Sequence, residues 1–78
     1  MDTEYTFFSG GFLKVTNQSI FQKTYIKIDD IGLWSINETT GGYMVVVVYG
    51  NRETYLYFYG DGAIIKAETF CEKLLSER

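Results

Sequence analysis

The sequence predicts an α+β domain in which a bent antiparallel sheet of five or six strands is packed by one C-terminal helix. Three observations carry this. Short aromatic and β-branched segments are separated by Gly10-Gly11, Gly41-Gly42, Gly50 and Gly60, the punctuation of successive hairpins. The run YMVVVVY over residues 43–49 is apolar on both faces, which fits a central strand covered on two sides. Beyond Gly62 the hydrophobic period lengthens from two residues to three or four, so that Ile64, Ala67, Phe70, Cys71 and Leu74 fall on one helical stripe. Seventy-eight residues make one domain, 1–78, with a core too small to enclose a large cavity.

Each element has its own warrant. Residues 5–8 read as a weak first strand or an ordered arm. Over 12–16, Leu13 and Val15 point one way and Lys14 and Thr16 the other. Asn17-Gln18 reads as a turn, followed by a short apolar strand at 19–21 and a further strand at 24–28 with Ile26 and Ile28 on one face. Asp29-Asp30 breaks that strand, and 31–38 resumes with Trp34 and Ile36 opposite Leu33 and Ser35. Residues 43–49 lead through a turn at 50–53 into a returning strand at 54–59. A loop of even length sets Val45 and Val47 on one face with Leu56 and Phe58, and Met44, Val46 and Val48 on the other with Tyr55, Tyr57 and Tyr59; an odd loop mixes the two sets. Asp61 is the expected N-cap of the helix, the alternative being a strand at 63–66 after an Asp-Gly turn.

Composition excludes several chemistries. With Cys71 alone and no histidine, the chain can form neither an internal disulfide, nor a Cys/His zinc site, nor a Ser–His–Asp or Cys–His catalytic arrangement. Cys71 reads as a small hydrophobe on the helical stripe. Neighbours on an extended chain face opposite ways, so Asp29 and Asp30 cannot share acid–base work and read as turn residues. Gly60-Asp61-Gly62 lacks the spacing of a phosphate loop. The expectation is a protein with no catalytic residues, no metal and no cofactor. A net charge of −3 and a pI near 4.7 predict no nucleic-acid partner and no attraction to acidic membranes. The longest apolar run has seven residues and no basic-then-apolar leader opens the sequence, which predicts a cytoplasmic location.

The stretch FSGGFLKVTNQSIFQKTYIKIDDIGLWSI, residues 8–36, resembles the opening of small bacterial domains with a pleckstrin-homology-like fold, through Val15-Thr16-Asn17, Lys23-Thr24-Tyr25 and the hydrophobic pattern around them. The second half is similar in its hairpin with a central apolar strand and its closing helix. The family's full form has seven strands, so 78 residues correspond to a trimmed one. The resemblance implies a bent sheet closed at one end by the helix. It implies binding of lipids, peptides or proteins rather than catalysis.

The candidate binding residues are Tyr55, Tyr57, Tyr59, Trp34 and Arg52. Tyrosines at a period of two form a row that serves as packing, as the anchor of a protein interface, or as a stacking surface for a small ligand. Trp34 is either core or an interface anchor. Arg52, in the hairpin turn, is the nearest cation for a phosphate. One short helix covers one face of a sheet whose central strand is apolar on both, so either the sheet bends round on itself or a second chain covers the rest. The expected function is a non-catalytic interaction module that self-associates through its aromatic face. The alternative is a small phage-encoded inhibitor of a bacterial defence system, blocking a protein or sequestering a nucleotide signal in the infected host.

Overall fold

The computed structural model describes residues 2–78. Six strands form two three-stranded antiparallel sheets, followed by one helix. The first sheet holds β1 (Glu4–Phe8), β2 (Phe12–Asn17) and β3 (Gln22–Lys27) in that order. The second holds β4 (Ile31–Thr39), β5 (Gly42–Tyr49) and β6 (Arg52–Tyr59), also in chain order. Helix α1 (Ala63–Glu77) follows.

The expected single bent sheet is therefore divided in two. Between β3 and β4 the chain makes a 3-10 turn, Ile28–Asp30, that buries Ile28 and leaves both aspartates exposed. On the other side the halves meet without a strand ladder. The Thr3 N–H donates to the Tyr57 carbonyl at 2.8 Å, the Tyr57 N–H donates to Thr3 Oγ1 at 2.9 Å, and the Tyr59 N–H donates to Asp2 Oδ1 at 2.9 Å. Asp2 and Thr3 thus serve the edge of β6 largely with side chains, where a seventh strand would use its backbone.

The β5–β6 loop is Gly50-Asn51, shorter than the expected turn at 50–53, so that Arg52 opens β6 rather than lying in the turn; with two residues the loop is even, and the faces separate accordingly. Val45 pairs with Leu56 and Tyr43 with Phe58, and Val45, Val47, Leu56 and Phe58 are buried. On this face α1 packs over β4, β5 and β6, burying Ala63, Ala67, Phe70 and Leu74. Leu13, Val15 and Ile26 of the first sheet complete the core with Ile28 and Ile31. Phe70 is the hub of an aromatic cluster, with ring centroids 4.8 Å from Tyr5, 5.7 Å from Phe7 and 6.4 Å from Phe58. Full burial of such a side chain contributes about 1.5–3 kcal/mol, and here it ties both sheets to the helix.

Two local expectations are corrected. Residues 19–21 form a turn, not a strand: Asn17 Oδ1 accepts the Ser19 N–H at 3.0 Å, and the Asn17–Gln22 pair leaves a four-residue loop between β2 and β3. Asp61 does not cap the helix. Gly62 holds the N-cap position with φ 76°, and the Gly60 carbonyl accepts the Ala63 N–H at 3.2 Å, so a backbone turn closes before the Asp61 carboxylate is needed. Residues 63–66 are helical, which disposes of the strand alternative. Cys71 lies half-buried against the core, and burial first, with Glu68 adding, pushes its thiol above the usual range.

Candidate interaction face

The helix occupies one face of the second sheet and the tyrosine row lies on the other. Strand alternation fixes this: Leu56 and Phe58 point into the core, so Tyr55, Tyr57 and Tyr59 point out. Across the ladder they stand opposite Val46, Met44 and Gly42. The Tyr57 and Tyr59 rings are parallel to within 5°, with centroids 6.1 Å apart. Leu33 of β4, 62% exposed, extends the belt through its pairing with Val48. Ser35 and Asn37 line the outer edge, the Asn37 Nδ2 donating to Ser35 Oγ at 3.1 Å. Glu53, paired with Val48, is the single charged side chain that this alternation places on the face. Its carboxylate, more than partial burial, raises the Tyr55 phenol above its ordinary value.

A groove of about 470 Å³ runs along the row. The three tyrosines make one wall, Thr16 and Asn17 at the end of β2 with Gln18 and Ser19 of the following turn make the other, and Asp2 and Thr3 lie at the seam between them. Among the described residues the groove lining holds one carboxylate, Asp2, and no cation. The Asp2 carboxyl is held below its ordinary value chiefly by the Tyr59 N–H and then by Lys66, whose Nζ lies 2.9 Å from Oδ2. Beyond the groove the same turn carries Ile20 and Phe21, and Phe21 is 91% exposed with φ 55°.

The expected binding set is divided by the sheet. Tyr55, Tyr57 and Tyr59 are together. Trp34 is on the helix-covered side, half-buried opposite Val47, with the Arg78 guanidinium 5.7 Å from its ring centre. Arg52 pairs with Tyr49 and shares the alternation of Leu56 and Phe58, so it too faces away from the row. Asp2, Thr3 and the polar residues of the β2–β3 turn were not anticipated at the groove. No local pattern could have placed them, since Asp2 and Thr3 lie more than fifty residues in sequence from the strand they serve. No protein-family profile, curated protein or solved structure matches the chain. Among the described residues, no helix is long and apolar enough to cross a membrane.

Proposed function

We propose that this protein is a non-catalytic binding module that self-associates through the tyrosine face of its second sheet. The observation that carries the reading is the uncharged aromatic and aliphatic belt left bare by α1, with Glu53 alone at one corner. With its one carboxylate at a corner, the body of the patch carries no like-charge cost when it meets its own copy about a two-fold axis, which favours an isologous contact. Ile20 and Phe21, exposed in the turn that follows the groove residues Gln18 and Ser19, offer further apolar area.

The alternative, capture of a nucleotide along the tyrosine row, is disfavoured by electrostatics. Among the described residues, phosphates there would meet the Asp2 carboxylate and no lining cation, Lys66 being already paired with Asp2, and Arg52 faces the wrong way. On the same proposal the two sheets, joined at Asp2-Thr3 and closed by α1, are a shortened pleckstrin-homology-like scaffold working in the cytoplasm of a bacterial cell or a phage-infected host.

Light scattering across a concentration series tests self-association directly. Wild-type protein is expected to dimerise, and Tyr57→Ala to weaken the dimer by more than about 1 kcal/mol, the usual threshold for a contributing interface residue. A wild-type monomer at every concentration, or a Tyr57→Ala dimer of unchanged affinity, would overturn the proposal.

A further inference from the structure

The outer face of the first sheet has a different chemistry from the tyrosine face. Register places Phe8, Phe12 and Lys27 in one row across the three strands, and Lys14 and Tyr25 in the next, with Lys23 beyond. Leu13, Val15 and Ile26 point to the core, so these six side chains all point outward. Phe8 is 40%, Phe12 42% and Tyr25 60% exposed. The Phe8 and Tyr25 rings lie 6.4 Å apart at 30°, and Lys14 Nζ stands 5.7 Å from the Phe8 ring centre.

Three of the five lysines of the chain are gathered here. Among the described residues the one ion pair joins Lys66 to Asp2, so none of the three is neutralised by a carboxylate. Glu4 is the one acid on this face; it lies across Thr16 from Lys23 and accepts a hydrogen bond from Gln18 at 2.7 Å. The net charge of −3 is an average over the whole chain, and this face departs from it in sign.

We propose that the outer face of β1–β2–β3 binds single-stranded nucleic acid. Open rings interleaved with ammonium groups are what a chain of unpaired bases and phosphates requires: the rings stack on bases and the lysines neutralise the backbone. Outward side chains two residues apart stand about 7 Å from one another along a strand, and neighbouring strands about 4.8 Å apart, so the patch takes about two or three nucleotides. An acidic peptide would satisfy the lysines but gain nothing specific from the rings. A duplex would present phosphates while keeping its bases stacked within.

The test is fluorescence anisotropy of a labelled oligothymidylate of about 12 nucleotides, within the roughly 4–16 that single-strand sites span. Binding is expected to weaken with salt at a log–log slope of about −2, three lysines each releasing about 0.7 of a counterion. Tyr25→Ala, whose folding is verified by circular dichroism, is expected to weaken binding about fivefold or more, the loss of one stacked base. Replacing Lys14, Lys23 and Lys27 together by glutamine should flatten the slope towards zero. Tyr57→Ala should bind the oligonucleotide as wild type does, which keeps this outcome separate from that of self-association. Absence of binding in low salt would overturn the proposal. So would equal binding of a duplex, polyphosphate or polyglutamate together with indifference to Tyr25→Ala, a result that would assign the lysines to an acidic partner.

Discussion

At the turn between β4 and β5, Thr39 and Gly42 face each other across the hairpin, and the two residues are under opposite constraints. A Cβ on Gly42 would run into the Phe58 carbonyl, a backbone atom held in the β5–β6 ladder, so the strands approach one another only because the side chain is missing. Gly42→Ala is expected to lose about 1–3 kcal/mol in urea unfolding, the usual cost of forcing extra atoms into a packed site. A neutral result would mean that β6 moves aside freely. Thr39 Oγ1, by contrast, is buried without a hydrogen-bond partner among the described residues, and an unsatisfied buried hydroxyl costs about 1–3 kcal/mol. Thr39→Val keeps the shape and removes that oxygen, so the same measurement should show a gain in stability. A loss of stability on that substitution would show that the hydroxyl is satisfied in solution.

At the scale of elements, the seam between the sheets rests on Asp2 and Thr3, and its pH dependence has a definite sign. The Asp2 carboxyl is lowered below 3.8 in the folded protein, first by the Tyr59 N–H and then by Lys66. A depressed folded value means that the contribution is present above the unfolded value and is lost as the pH falls through the folded one. Asp2 is partly exposed and its pairing with Lys66 is screened by solvent, so the effect is confined to the seam rather than to global stability. In an NMR titration the Tyr59 amide should shift with a midpoint below 3.8, and in Asp2→Asn the acid transition should vanish. A midpoint at or above 3.8 would mean that the carboxylate is not held by that amide. This seam was illegible in the sequence because it joins Asp2 and Thr3 to β6 through two side-chain acceptors and a single backbone bond, which leave no periodic trace. The elements themselves were legible: the alternation of Leu13 and Val15, of Leu56 and Phe58, and the helical stripe through Ala67, Phe70 and Leu74 each report the buried face that enforces them. Ile20 and Phe21 misled for the complementary reason. They are apolar yet exposed, and the Asn17 side chain had already committed the chain to turning.

For the whole molecule, the decisive fact is that one helix serves two sheets. It closes the core between them and covers neither outer face, one rich in tyrosine with Glu53 as its single charge, the other basic and aromatic. The tyrosine row could be read from its period of two. Its separation from Trp34 and Arg52 depended on which face of β6 the helix chose: α1 covers the side of Leu56 and Phe58, where the Tyr49 hydroxyl finds Thr54 Oγ1 at 2.8 Å, and leaves the three phenols of the row on the other. The basic face leaves no local sequence pattern, because its lysines belong to two strands and only the β2–β3 register aligns them. The tyrosine face makes a sharper demand on self-association than truncation of one ring. Val46 lies at its centre, between Ser35 and Tyr55 on the neighbouring strands. In an isologous contact, glutamate at this position on both copies would bring unpaired carboxylates together in a desolvated patch. Val46→Glu is therefore expected to be a folded monomer at concentrations where wild type is dimeric, with helix and sheet signals retained by circular dichroism. Ile65→Glu supplies the control, because Ile65 is exposed on α1, away from this face, and the change should leave the dimer intact. If Val46→Glu remains dimeric, or Ile65→Glu alone becomes monomeric, the copies meet through the helix and not through the tyrosine sheet.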